Sequence, residues 1–399
     1  MSNRPSCATI PASPNAFEHV SGVLAFSRVA LFQGDDRRQN ILQALNLVGD
    51  DIDWASKPRV LIKPNFVSTE RPLSATPVEA VRALLDWLRR RYDGPIVIGE
   101  GTATRNTWEG FANYGYLSLP DEYPGVELRD LNADEPAAVR VFDRHRRPLT
   151  LRVARSALQS DCRIAIGPPK THDAVIVTLS LKNMIMGSLI SRWAPCPPEQ
   201  LLETARTAGA CADPTAQPTT GVALAGRGLY ANLPHWVKNL SLMEWTKAAY
   251  LSRSKGSDKQ RMHQSLPLLN LNLFALAPLL RPHLSVIDGW VGMEGDGPTR
   301  GDAVDWRVAV ASADFLAADA LTAELMGFPI ESIGYLHYCH QAGLGAGKLE
   351  EMDIVGNAEP GAVRRAFRPS PTFRIQRRWQ IPDTDRRLGE ALQLNRVPA

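Results

Sequence analysis

Residues 60–101 read VLIKPNFVSTERPLSATPVEAVRALLDWLRRRYDGPIVIGEG, and three signals inside them set the fold class. The apolar run 59–62 stops at Lys63-Pro64-Asn65, because proline offers no N–H to a central ladder. Thr76, Pro77 and Glu79 mark a helix start, with a capping hydroxyl, a proline in the first turn and a capping-box acid three residues on. Val78, Val81, Leu84, Leu85 and Leu88 then recur at helical spacing, and Arg89, Arg90 and Arg91 complement the dipole at the end. Tyr92-Asp93-Gly94-Pro95 turns the chain into a strand over 96–98 that ends at Gly99-Glu100-Gly101. Strand, helix, strand at this length is a parallel βαβ unit with a right-handed crossover.

The alternation continues outward. Helical spacing covers 39–48, 108–114, 153–158 and 233–251, and a further helix opens at Ser265 and Pro267; apolar strand-like runs fall at 23–31, 126–131, 162–166, 284–287 and 307–311. The pattern predicts an α/β fold: a mostly parallel sheet with helices on both faces. Residues 1–21, rich in Pro, Ser and Asn, read as a loose N-terminal tail, and 22–360 as the α/β domain. Within it, 191–265 reads as an insertion or variable helical part, whose 192–220 segment turns to Pro, Ala, Thr and Cys with a helix over 198–208. Residues 254–259, SKGSDK, read as an exposed loop. Residues 361–399 hold nine arginines against Asp383, Asp385 and Glu390, a balance of +6, so the mildly acidic body carries −3 of the total of +3.

Composition narrows the function classes. With 44% hydrophobic and 22% charged residues the chain is an ordinary globular one. Its five cysteines lie far apart without a CxxC pair, which argues against a disulfide framework, a thiolate zinc site or an intrinsic iron–sulfur cluster. The apolar stretch 266–280 is interrupted by Pro267, Asn270, Asn272 and Pro278, and no basic-then-apolar leader opens the chain, so a cytoplasmic protein without a membrane span is expected. Gly343–Lys348 departs from a phosphate loop, with Ala342 at the first glycine and Leu349 at the Ser or Thr. Phe367, Phe373 and Trp379 interleave the C-terminal arginines, but a docked or solvated segment accounts for them better than nucleic acid.

The chemistry gathers where strands end. Lys63 and Asn65 follow one apolar run, Glu100 the next, Lys170 and His172 the third, Asp288 the fourth, and Ser312 and Asp314 the fifth. In a parallel sheet the carboxyl ends share one edge, where ligands bind. The stretch 168–188, PPKTHDAVIVTLSLKNMIMGS, adds Lys182 and Asn183 to Lys170. Lysines in so apolar a segment either reach solvent or line a pocket with anionic contents.

These motifs, Lys63-Pro64-Asn65, Gly99-Glu100-Gly101, Pro169-Lys170-Thr171-His172, Leu181-Lys182-Asn183 with Gly187, Asp288-Gly289 before Glu294-Gly295-Asp296-Gly297-Pro298, and Ser312-Ala313-Asp314 with Asp319, resemble in order those of domain of unknown function family 362. The resemblance covers roughly residues 22–356. It implies a redox association for some members, which are often joined to ferredoxin-type iron–sulfur modules; the cysteines of this chain do not form such a module.

Three function classes stay open on these grounds. The first is an enzyme acting on a small anionic metabolite, a carboxylate or phosphorylated compound, by proton transfer of isomerase or lyase type. Lys170, His172, Glu100 and Asp288 are its candidate catalytic residues, and Lys63, Asn65, Lys182 and Asn183 its substrate-binding residues. Glu294 and Asp314 are candidate oxygen ligands for a divalent cation, the one cofactor this reading admits. The second class is a redox or metal-dependent protein working with a separate iron–sulfur partner, and the third a non-catalytic ligand-binding protein.

Overall fold

In the computed structural model, which describes residues 26–103, 106–191, 240–251 and 257–396 with Pro234 and Val237, the first half of the chain alternates as expected. It runs β1 (Ser27–Gln33), α1 (Arg37–Val48), β2 (Val60–Lys63), α2 (Val78–Leu88), β3 (Ile96–Glu100), α3 (Thr107–Asn113), α4 (Leu119–Glu122), β4 (Val126–Asp130), β5 (Pro136–Phe142), β6 (Pro148–Ala154), α5 (Arg155–Gln159), β7 (Cys162–Gly167), β8 (Lys170–His172), β9 (Ile176–Thr178) and α6 (Ser180–Ser188). The helix Leu266–Leu280 leads into β10 (Leu284–Glu294) and β11 (Asp302–Ser312); helices Phe315–Leu325 and Gly334–Gln341 then precede β12 (Met352–Gly356).

The sheet has the order β12-β1-β11-β10-β7-β2-β3-β4, with β8 pairing β10 and β9 pairing β8. Along the main path β11 alone opposes its neighbours, β1 and β10; the other pairings are parallel. The short loop between β10 and β11 makes a hairpin, and a hairpin can only be antiparallel. The expected mostly parallel α/β sheet is therefore present, with one reversed strand.

Both faces are covered, for the reason given by strand periodicity. Val60 and Ile62 pack with Ile41, Leu45, Leu84 and Trp87 of α1 and α2, whereas Leu61 packs on the other face with Leu181, Ile185, Leu273 and Leu316. The helix Leu266–Leu280 is apolar on all sides because it is enclosed. Its Asn272 serves as a substitute strand partner, accepting from Phe142 N at 2.8 Å and donating to Phe142 O at 2.9 Å. Asn270 Oδ1 accepts from Tyr335 N at 2.9 Å. The polar interruptions of that stretch are thus hydrogen-bonded core groups. Among the described residues no helix is long and apolar enough to cross a membrane.

Local expectations are corrected in four places. Thr76 does not cap α2: its hydroxyl accepts from Asn65 N at 2.8 Å and donates to Ile166 O at 2.9 Å, tying the loop after β2 to the end of β7. Val153 ends a strand instead of opening a helix, because residues 136–154 form the β5–β6 hairpin. The strand expected over 284–287 runs on to Glu294, past a bulge between Gly289 and Val291. Residues 257–259 of the expected exposed loop are buried. The tail 1–21 and the whole 192–220 segment, with the helix expected over 198–208, lie outside the described residues.

The arginine-rich C-terminal segment is docked as far as it is described. The Phe367 ring meets Trp306 at 5.1 Å and Trp379 meets Tyr338 at 5.1 Å, both edge-on. Gln376 donates to His172 O at 2.9 Å and accepts from Ile176 N at 2.5 Å, clamping the β8–β9 hairpin where Ile176 has a φ of 69°. A chain ending at residue 360 loses buried Phe367, Ile375, Trp379, Ile381 and Leu388. At about 1.5–3 kcal/mol each this rivals the whole stability of a typical domain. We expect such a chain to lose cooperative thermal unfolding by circular dichroism; a native-like melt would remove this segment from the core.

Candidate functional site

Lys63 is the last residue of β2 and Glu100 the last of β3, and the parallel register of these neighbours, with Ile62 opposite Ile98, brings both to one edge. Lys63 Nζ donates to Glu100 Oε2 at 2.5 Å, to Pro64 O at 2.7 Å and to Asn183 Oδ1 at 3.1 Å, so all three ammonium hydrogens are used inside the protein. Glu100 Oε1 accepts from Gly101 N at 2.9 Å. Gly187 of α6 leaves the room: a Cβ there would come within 2.2 Å of Lys63 Nζ. Burial pulls the Lys63 pKa down, against the upward pull of the Glu100 carboxylate.

A second lysine is joined to this pair through two amides. Asn65 Nδ2 donates to Asn183 Oδ1 at 2.7 Å, and Asn65 Oδ1 accepts from Lys170 Nζ, which also donates to Ser74 O at 2.9 Å. Because lysine only donates, the two lysines dictate which way each amide faces. Lys170 is fully buried; burial first, then the Lys182 and Lys63 charges, lower its pKa to about 7, with Glu100 pulling the other way. Burial lowers Lys182 to about 8, partly offset by Asp173, and among the described residues Lys182 makes no hydrogen bond.

Lys259, read from the sequence as part of an exposed loop, is a fourth member. It lies in the short helix Asp258–Arg261, and its Nζ donates to Leu189 O and, at 3.4 Å, to Gly187 O at the end of α6. Burial lowers its pKa to about 7, with Glu100 opposing and the Lys63 charge adding. The spacing of Ser257 and Gln260 carries the available signal, since Ser followed three residues later by Gln starts a helix, and Ser257 Oγ accepts from Gln260 N at 3.3 Å.

The remaining candidates are placed apart from this cluster. His172 sits on β8 next to Lys170; Ala174 N donates to its Nδ1 at 2.9 Å, which puts the ring proton on Nε2. Asp173 Oδ1 lies 3.3 Å from the same nitrogen, an ion pair only for a protonated ring. Asp288 lies at the same edge of the sheet but pairs with Arg37 Nε at 3.4 Å, at the start of α1, and its pKa is raised by burial against the Arg37 charge. Asp314 is carried to the opposite edge because β11 is reversed. There it accepts from Ser27 Oγ at 2.6 Å and caps the helix Phe315–Leu325 through Leu316 N and Ala317 N at 2.9 and 3.2 Å. Glu294 closes the other end of the β10–β11 hairpin, opposite Asp302, and accepts from Arg368 N at 2.9 Å. Roughly 30 Å of strand separates Glu294 from Asp314, so they do not form one cation site, and among the described residues no metal-holding group of three His, Cys, Asp or Glu occurs.

The profile described as domain of unknown function (DUF362) matches residues 60–324, which take in every residue of the cluster. This chain belongs to the DUF362 family. The match is narrower than the span of resembling motifs, and it leaves β1, β12 and the docked C-terminal segment outside. No curated protein matches the chain. Among solved structures, the lactate racemase apoprotein of Thermoanaerobacterium thermosaccharolyticum aligns over 75% of this chain and 57% of its own length, at 13% identity and a TM-score of 0.39. A Thermotoga maritima protein aligns over 50% of each chain at 12% identity and a TM-score of 0.29. The chain thus spans only about half the length of each.

Within the DUF362 match, Asp319 explains how α6 is held over the cluster. Its carboxylate accepts from Ser180 N at 2.8 Å and Leu181 N at 3.0 Å, satisfying donors at the start of the helix, and burial raises its pKa to about 6 despite these bonds.

The lysines also fix a pH signature. Lys170 has a folded pKa of about 7, below its ordinary value of 10.5, so between these pH values the unfolded chain binds a proton the native one lacks. Stability therefore rises with pH across that window, by up to about 1.4 kcal/mol per pH unit for one such group, and the penalty is largest below pH 7. In denaturant melts from pH 7 to 10, Lys170→Met is expected to flatten the wild-type rise; an unchanged slope would show that Lys170 titrates normally.

Proposed function

We propose that this DUF362 protein is an enzyme that binds a small anionic metabolite at the carboxyl edge of the sheet and moves a proton on it, with Lys170 as general base. The observation that carries the reading is the gathering of buried lysines: Lys63, Lys170 and Lys259 feel Glu100, whose carboxylate contacts Lys63, and Lys182 adds its charge to Lys170, while Asp173 acts on Lys182 and Asp130 and Asp258 on Lys259. Buried cations without counter-charge are costly, and an anionic ligand supplies the missing charge.

The residue types favour proton transfer over a static clamp. Arginine stays charged and grips carboxylate or phosphate with a rigid fork, whereas a buried lysine shifts its pKa toward neutrality. The cluster is built of lysines. The buried Arg163 is used elsewhere, on Arg281 O at 3.1 Å and Ser160 O at 2.9 Å. With a pKa of about 7, Lys170 is poised to take and return a proton at neutral pH. Lys182, less lowered and free of hydrogen bonds among the described residues, is the group that receives the anion. Glu100 holds Lys63, and Lys63 and Lys170 hold Asn183 and Asn65, whose amide hydrogens face developing negative charge. Asp288 enters this reading only through Arg37, and His172 only as the neighbour of Lys170 on β8.

Native mass spectrometry of the full chain beside Lys170→Ala and Lys182→Ala tests this. A bound anion in the native protein that is lost from both variants supports the site, and turnover of that compound should fall by about 100-fold or more in Lys170→Ala. An unchanged ligand in both variants would move the site away from the lysines.

A further inference from the structure

We propose that the recess beside Asn65 and Asn183 is an oxyanion pocket, which receives the carbonyl oxygen of the substrate while Lys170 removes the proton from the adjacent carbon. This rests on the reading of Lys170 as a base and narrows its substrate to a small carboxylic acid that also carries an enolisable carbonyl group.

The recess is lined by Asn65, Gly167, Pro168, Thr178, Leu179, Ser180, Asn183 and Ile287. Its enclosed volume of about 10 Å³ is room for about one water, far below the size of a whole-ligand pocket, so it suits a single oxygen atom of a ligand. Its two amides have only donors left to offer. The acceptor oxygen of Asn65 is taken by Lys170, and that of Asn183 by Lys63 and Asn65. Among the described residues each amide nitrogen spends one hydrogen, Asn65 on Asn183 and Asn183 on Lys63 O at 3.3 Å, which leaves one on each. The third donor is Thr178, whose hydroxyl is buried without a hydrogen-bond partner among the described residues. A buried hydroxyl left unpaired costs about 1–3 kcal/mol, which a bound oxygen would recover. The N–H groups of Ser180 and Leu181 are spent on Asp319, so the side chains, and not the helix dipole, make the pocket.

Thr178 also stands where the chemistry needs it. In the antiparallel β8–β9 hairpin Thr178 is the direct partner of Lys170, so the hydroxyl and the base leave the same face of adjacent strands. In the step proposed, the C–H bond breaks and its proton goes to Lys170 Nζ. The C–H electron pair forms the new C=C bond, and the carbonyl π pair moves onto the oxygen held by Asn65, Asn183 and Thr178. Return of the proton from Lys170 closes the cycle, with no oxidant or further reactant.

The test uses two ions on the full chain by isothermal titration: oxalate, planar like an enolised 2-oxo acid, and inorganic phosphate, which is tetrahedral. We expect oxalate to bind at least about tenfold tighter than phosphate. Thr178→Val should weaken oxalate about tenfold or more, the size of one hydrogen bond to a charged group, while Thr178→Ser restores it and phosphate is unaffected. Matching thermal midpoints for the two variants exclude a folding defect. Absent oxalate binding, a preference for phosphate, or a Thr178→Val affinity within about twofold of wild type would overturn the pocket. Lys170→Ala separates the two readings. If it abolishes binding of either ion while Thr178→Val changes nothing, the anion site stands and the pocket falls; if it changes neither ion, the anion site itself falls.

Discussion

The arrangement depends on one buried ion pair, Lys63 with Glu100, placed where two parallel strands end side by side. Removing both charges from water is expensive, and the cost is offset only if the remaining hydrogen-bonding capacity is met. Here it is met by Pro64 O and Asn183 Oδ1 on the lysine and by Gly101 N on the carboxylate. That requirement explains otherwise unrelated features nearby. Gly187 must lack a side chain for the ammonium to fit, α6 must be anchored by Asp319 so that Asn183 reaches Lys63, and Lys259 ties down the carbonyls at the far end of the same helix.

The pair does not neutralise its surroundings. Lys170, Lys182 and Lys259 remain within the electrostatic reach of Glu100 or of one another, and burial moves all three toward neutral pH. A surface cluster of the same composition would be screened and would titrate as free lysines. Burial thus converts a charge cluster into groups able to exchange protons under ordinary conditions. The donor-rich recess beside them follows from the same electrostatics, since the lysines decide which end of each asparagine amide is left to donate.

Topology decides which polar residues join. The β10–β11 hairpin reverses one strand, and with it Ser312 and Asp314 go to the far edge, where Asp314 joins Ser27, at the amino end of β1, to the helix Phe315–Leu325. The C-terminal segment, although rich in arginine, contributes its aromatic and amide side chains: Phe367 and Trp379 enter the core, and Gln376 clamps the hairpin that carries Lys170 and Thr178.

The sequence by itself determined the α/β class, because the capped amphipathic helix over 78–88 between two apolar runs admits few other folds. It also placed Lys63, Asn65, Glu100 and Lys170 just after strand ends, since parallel strands share a carboxyl edge, whereas the helix α6 that carries Lys182 and Asn183 emerged only in the structure. The structure alone decided that Asp314 and Glu294 are far apart, because strand direction is set by which strands pair and not by composition. It alone brought in Lys259 and Thr178. The first lies many residues from the rest of the cluster in the chain, and the second is an ordinary strand residue until the hairpin register sets it opposite Lys170. The Asn65 and Asn183 amides gain their direction, and the lysines their shifted pKa values, only from enclosure, a property of three-dimensional packing that local sequence does not encode.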